Sequence, residues 1–154
     1  MFLQGIYPVQ SLQRGPLVQL DPAAFIADPE LVQALDIRAT PIPCDEDRVL
    51  FRQGDPPIGL YILLKGETTL SMTAESGELI MSVQAAAGSL LGLPGIIGNQ
   101  PYSLTAIGRR GAQVSFIARN DFNALMKSEL PLLLLILQVL ASEVRSARIA
   151  ITQQ

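Results

Sequence analysis

Apolar and polar residues alternate in short, evenly spaced runs through the middle of the chain, then give way to a longer helical period near its end. Strand patterns recur at 37–42, 48–52, 59–64, 67–73, 79–85, 103–107 and 113–118. The clearest is Thr68-Thr69-Leu70-Ser71-Met72-Thr73, whose alternation assigns one buried and one wet face. The separators Gln53-Gly54-Asp55-Pro56-Pro57, Lys65-Gly66 and Glu75-Ser76-Gly77-Glu78 each carry a residue suited to positive φ or to the fixed φ of proline. Pro43 to Asp47 reads as a solvated polar turn. Short strands at this rhythm predict a sandwich, barrel or jelly roll.

Helical signals flank the strands. Asp28 is a good N-cap, Pro29 takes the first helical position and Leu31, Ala34 and Leu35 fall at helical spacing, predicting a helix over 29–35. Ahead of it, turn formers without a period, among them Pro8, Gly15 and Pro16, predict an extended arm over 1–27. After the strands, Asn120-Asp121 is the expected cap of a short helix, 122–127, and Ser128 the expected cap of a long one with Pro131 in its first turn.

In the long helix Leu133, Leu137, Leu140, Val144, Ala147 and Ile151 step by four and three, the pattern of a coiled-coil seam. Leu132, Leu135, Ile136 and Val139 make a second apolar stripe beside it. Two stripes need two surfaces, so one is expected on the body of the domain and the other on the same helix of a second copy, giving a homodimer. The other reading is one broad face packed wholly on the body. Glu143, Arg145 and Arg148 are expected to flank the seam.

Composition narrows the function. With 154 residues, 49% of them hydrophobic, the chain holds one good core and is read as a single domain, 28–118 carrying the first helix and the strands and 120–152 the final helices. A net charge of −3 and an acidic first third oppose direct nucleic-acid binding. Histidine is absent and Cys44 is the only cysteine, so the common zinc, iron–sulfur and histidine–haem ligand sets cannot form, and no cofactor is expected. Cys44 stands beside Asp45, Glu46 and Asp47, which disfavour a thiolate, so an inert thiol is the expectation. Arg109-Arg110 reads as a charged turn. No nucleophile–base pair stands out, and a non-enzyme is expected. The start lacks a secretory signal, and the apolar run 130–141 is short for a bilayer, so a cytoplasmic protein that does not engage a membrane is predicted.

The most informative stretch runs from Gly88 to Ala106, with glycines at 88, 92, 95 and 98 and prolines at 94 and 101, a tight loop with at most one short turn of helix. Together with Val49-Leu50-Phe51-Arg52-Gln53-Gly54-Asp55, Leu60-Tyr61-Ile62-Leu63-Leu64-Lys65-Gly66-Glu67, Asp121-Phe122 and Pro131, it resembles the cyclic-nucleotide-binding domain family, in its bacterial catabolite-activator and fumarate-nitrate-regulator branch, over about 28–150. The resemblance implies a mainly β fold: an eight-stranded antiparallel β-roll (jelly roll) with a short N-terminal helix, a short helix after the roll and a long C-terminal dimerisation helix.

It also implies that this loop is the phosphate-binding cassette, in which a glycine lets backbone amides approach the cyclic phosphate, a glutamate accepts from the ribose and an arginine pairs with the phosphate. With Gly92 on the cassette glycine, Gly95 takes the small position, Leu93 the glutamate slot and Tyr102 the arginine slot, followed by Ser103. Losing one partner of a buried charged pair costs ~2–5 kcal/mol, roughly 30- to several-thousand-fold in affinity, and both are gone. Ordinary cAMP or cGMP binding is therefore not expected. The ligand-site candidates are Gly92, Leu93, Pro94, Gly95, Tyr102, Ser103 and Leu104, with Arg148 of the long helix as a source of positive charge.

The functional reading is a sensor or regulatory module for another small, less charged ligand, without a DNA-binding domain of its own. The alternative is a ligand-free dimerisation or interaction unit in which Leu93 and Tyr102 fill the pocket.

Overall fold

The structure is a computed structural model and describes residues 18–153; the part of the predicted arm over 1–17 lies outside the described residues. Eight antiparallel strands form two four-stranded sheets. One has the order β1 (Thr40–Pro43), β8 (Gln113–Ala118), β3 (Gly59–Lys65), β6 (Leu90–Leu91); the other has β2 (Arg48–Phe51), β7 (Thr105–Gly108), β4 (Thr68–Thr73), β5 (Leu79–Ala85). This is the predicted β-roll. The inner faces meet in one core that includes Leu60, Ile62, Leu63, Leu70, Met81, Leu90 and Leu91. Burial of side chains this size contributes ~1.5–3 kcal/mol each.

Local chemistry explains the elements at either end. Asp28 Oδ1 accepts from the Glu30 amide at 2.8 Å, starting α1 (Pro29–Asp36), which drops Leu31 and Leu35 into the core. The Ser115 hydroxyl donates to Asp36 Oδ1 at 2.9 Å, tying the end of α1 to β8. Within the predicted arm, Asp21 accepts from Ala23 N–H and starts a 3₁₀ turn, Pro22–Phe25, that buries Phe25. The cassette stretch holds more structure than a loop with one turn: β6 and then α2 (Leu93–Gly98). A strand of two residues is too short to show an alternation.

The two predicted C-terminal caps are not used. The helix α3 runs Arg119–Ser128 from an N-cap at Ala118, so Asn120 and Asp121 lie inside its first turn. The Ser128 hydroxyl bonds back to the Leu125 carbonyl at 3.2 Å, and α4 (Leu130–Thr152) begins after Glu129 instead. Both corrections follow from the strand β8 running directly into α3 and α3 almost directly into α4, leaving no free turn in which a side chain could cap.

With 23 residues, α4 is long and apolar enough, by length and composition, to cross a membrane, which the shorter run 130–141 did not foretell. It packs on the 3₁₀ turn, α3 and α1, seating Leu132, Ile136, Val139 and Ala150 in the body of the domain. Ile136 is fully buried. Truncation by Ile136→Ala is expected to destabilise the domain by ~2–5 kcal/mol in chemical denaturation, and a loss below ~1 kcal/mol would show that α4 does not rest on the core.

Candidate functional site

The cassette is built around a glycine in the left-handed region. Gly92 has φ +92°, and a Cβ added there would lie 2.7 Å from Tyr102 Cε1, so no other residue fits without displacing the ring. The next residue, Leu93, turns into the core and is fully buried, while Pro94 faces solvent and Gly95 is buried. Asn99, at φ 51°, closes α2, and the chain returns through Gln100 and Pro101 to Tyr102.

Tyr102 is held from every side. Its N–H donates to the Asp55 carbonyl at 3.0 Å and its carbonyl accepts from the Gly54 amide at 2.8 Å. Its hydroxyl donates to the Gly59 carbonyl at 2.6 Å and accepts from the Gly59 amide at 3.1 Å. The ring stacks on Phe51 with centroids 4.0 Å apart, and Phe51 leans on Tyr61 at 5.5 Å, which leans on Phe116 at 4.9 Å. Only 3% of Tyr102 is exposed, and burial pushes its phenol above the ordinary value, although the backbone at Gly59 and Ile58 acts to lower it. The residue in the arginine slot is thus a neutral, fully bonded plug.

Between this plug and α4 remains a cavity of about 20 Å³, lined by Phe25, Phe51, Leu70, Leu91, Gly92, Pro94, Gly95, Tyr102, Ser103, Leu104 and Glu143. That volume holds about one water molecule. Of the predicted ligand-site residues, the structure therefore brings together Gly92, Pro94, Gly95, Tyr102, Ser103 and Leu104. Leu93 is packed in the core rather than at the cavity wall. Arg148 is not at the wall either; it is exposed beside Leu140, Ala141, Val144, Arg145 and Ile149 on the outer side of α4.

The residue of α4 that does reach the cavity is Glu143, which was expected to flank the seam. Its Oε2 is shielded from solvent and has no hydrogen-bond partner among the described residues. Burial pushes its carboxyl up to about 8. The signal was present: continuing the second stripe from Leu132, Ile136 and Val139 by four and three reaches Glu143, Ser146 and Ala150. Five of those six are apolar or small, and the charge at the fourth masked the row.

The same helix phase redraws the outer face. Leu137, Val144 and Ile151 of the predicted seam are exposed, by 51%, 49% and 64%, but Leu133 and Leu140 pack against the core and Ala147 is half-buried. The exposed apolar row is instead Leu130, Leu134, Leu137, Ala141, Val144 and Ile151. The physical reason is that side chains between two stripes lean toward whichever surface is present, and the roll claims Leu133 and Leu140. Elsewhere, Cys44 is buried, and burial raises its thiol above the ordinary value despite the Arg48 charge nearby, as an inert thiol requires. Arg109 pairs with Asp47 at 3.4 Å on the surface. No cluster of metal-ligating side chains occurs among the described residues.

A family model described as the cyclic nucleotide-binding domain matches residues 42–129. The fold is similar to that of the catabolite activator protein of Thermus thermophilus (TM-score 0.69, 23% identity, covering 86% of this chain and 62% of that one). It is also similar to the c-di-GMP-responsive global regulator CLP of Xanthomonas campestris (TM-score 0.68, 16% identity, 82% and 62% covered). A third similar structure is the sensor domain of the transcriptional regulator DNR from Pseudomonas aeruginosa (TM-score 0.59, 21% identity, 92% and 91% covered). The chain thus spans 62% of the length of each of the first two regulators and nearly all of the isolated sensor domain. A comparison with curated proteins finds no match.

Replacing Tyr102 by Phe removes one donor and one acceptor from a buried pair of backbone groups, at ~1–3 kcal/mol. Urea denaturation of Tyr102→Phe is expected to show a loss in that range, and an unchanged midpoint would show that the hydroxyl does not hold the plug.

Proposed function

The chain belongs to the cyclic nucleotide-binding domain family, and from that premise we propose that it is a cytoplasmic, non-enzymatic sensor or regulatory module whose cassette does not take cAMP or cGMP. The observation that carries this reading is the bonded, stacked Tyr102 filling the position where the family's cassette presents an arginine. A cyclic phosphate entering there would meet a neutral phenol, a leucine turned away into the core, and an acid, Glu143, on the opposite wall. None supplies positive charge. A ligand of this pocket is small and less charged than a nucleotide, and enters only as Tyr102 or α4 moves.

We assign homodimerisation to the exposed row Leu130, Leu134, Leu137, Ala141, Val144 and Ile151. Residues 130, 137, 144 and 151 repeat every seven positions, the spacing that keeps a seam facing a partner helix. A soluble protein leaves such a row uncovered only at a cost in aggregation, so a second copy is its natural cover. The second reading, a ligand-free dimerisation or interaction unit, is favoured by the cavity volume of about 20 Å³.

Two measurements test these proposals. Ligand at about 100 times its dissociation constant adds ~2.7 kcal/mol of stability, so thermal-shift assays with millimolar cAMP and cGMP are expected to show no change. A clear cAMP shift that Tyr102→Ala abolishes would overturn the closed-cassette reading. Leu137→Glu places a charge in the exposed row without touching the core and is expected to give the monomer mass in light scattering; an unchanged mass would remove α4 as the dimer face.

A further inference from the structure

Glu143 is the one ionisable group aimed into the cavity that has no role in the closed cassette. It sits on the inner row of α4, opposite the exposed apolar row, so one helix carries both an acid facing the roll and the face assigned to a partner. The cavity wall around it is Phe25 from the 3₁₀ turn, Phe51 from β2, Leu70 from β4, Leu91 from β6, and the cassette loop. Among the described residues, Tyr102 is the only other titratable group on that wall, and its hydroxyl is already bonded to Gly59.

Among the described residues, the elements packed against α4 bring no cation to the cavity. The 3₁₀ turn offers Asp21, whose amide donates to the Ser146 hydroxyl at 2.9 Å. The end of α1 offers Asp36, engaged by Ser115, and its start Asp28 and Glu30, linked to each other at the cap. From α3 come Arg119, whose Nε donates to the Ile96 carbonyl at 3.4 Å, and the exposed Asp121 and Lys127. On α4 itself Arg145 and Arg148 are exposed. None of these lines the cavity. With Oε2 shielded from solvent, an ionised Glu143 would therefore find neither a counter-charge nor a hydrogen bond among the described residues, which disfavours it relative to the protonated acid.

We infer that Glu143 is a proton-dependent latch: α4 seats over the cassette while the Glu143 carboxyl holds its proton, and its middle turns loosen from the roll when that proton is lost. The sign follows from linkage. The docked carboxyl keeps its proton up to about pH 8, while a solvent-exposed one loses it near 4.5. The free-energy advantage of docking is thus fully present below the lower value, falls as pH rises between the two, and is constant above the upper one. Undocking can increase by as much as about tenfold per pH unit inside that window. Because the outer row of the same turns is the assigned partner face, loosening also frees that face to change its angle. The latch concerns the seating of α4 and holds whether or not the pocket takes a ligand.

Hydrogen exchange of the full chain, with the intrinsic pH dependence of amide chemistry divided out, reads the latch directly. From pH 6 to pH 8 the opening of amides 136–147 is expected to rise at least tenfold in the wild type while β3 and β8 amides hold steady. In Glu143→Gln and in Glu143→Leu, which keep a neutral side chain at every pH, the α4 rise is expected to vanish. A wild-type α4 that shows no rise, or a rise that persists in both variants, overturns the latch. The dimer is judged separately by mass at pH 6, where α4 is seated, so the two proposals fail by different readouts.

Discussion

Everything near the cassette depends on the closure made by Tyr102. Its backbone is clamped between Gly54 and Asp55, its hydroxyl completes both polar groups of Gly59, and its ring lies flat on Phe51. The constraint propagates in two directions. Toward the cassette it demands glycine at 92, since a Cβ there would enter the ring. Toward the roll it meets Gly59, itself without room for a Cβ, which would collide with the Phe116 ring and the Ile117 carbonyl. A side chain that satisfies its own hydrogen bonds this completely has little reason to leave for a ligand, and the small cavity left behind reflects that.

The second organising fact is that α4 is wet on one side and buried on the other, yet apolar on both. On the inner side the docking energy comes from Leu132, Ile136 and Val139, and Glu143 interrupts the row where the cavity lies. A neutral acid there costs little, but its conjugate base would oppose the same docking. Hydrophobic seating and the electrostatic cost of an ionised Glu143 thus oppose one another within three turns of one helix.

The similar structures have the roll and the helix order in common with this chain at 16–23% identity, a level at which the likeness is one of fold. The cavity of this chain carries no positively charged side chain among the described residues. At the two positions where the resemblance implies charges stand Leu93 and Tyr102, and the long helix contributes an acid, Glu143, to the cavity wall.

Much of this was legible from residue order alone. Alternation and turn chemistry located seven of the strands, because a half-buried strand writes its two faces as a period of two, and the Asp28-Pro29 cap located α1 for an equally local reason. The glycine spacing singled out the stretch that forms β6 and α2, and residue order alone shows that positions 93 and 102 carry no charge. The two stripes of α4 announced two surfaces. What tertiary structure decided was the rotation of that helix: whether Leu133 and Leu140 turn inward, whether Arg148 or Glu143 reaches the pocket, and whether Leu93 fills the cavity or leaves it to Tyr102. A periodic pattern defines faces only relative to one another. Their absolute orientation is set by contacts distant in sequence, such as Tyr102 with Gly59 and Ser146 with Asp21, which no local pattern contains.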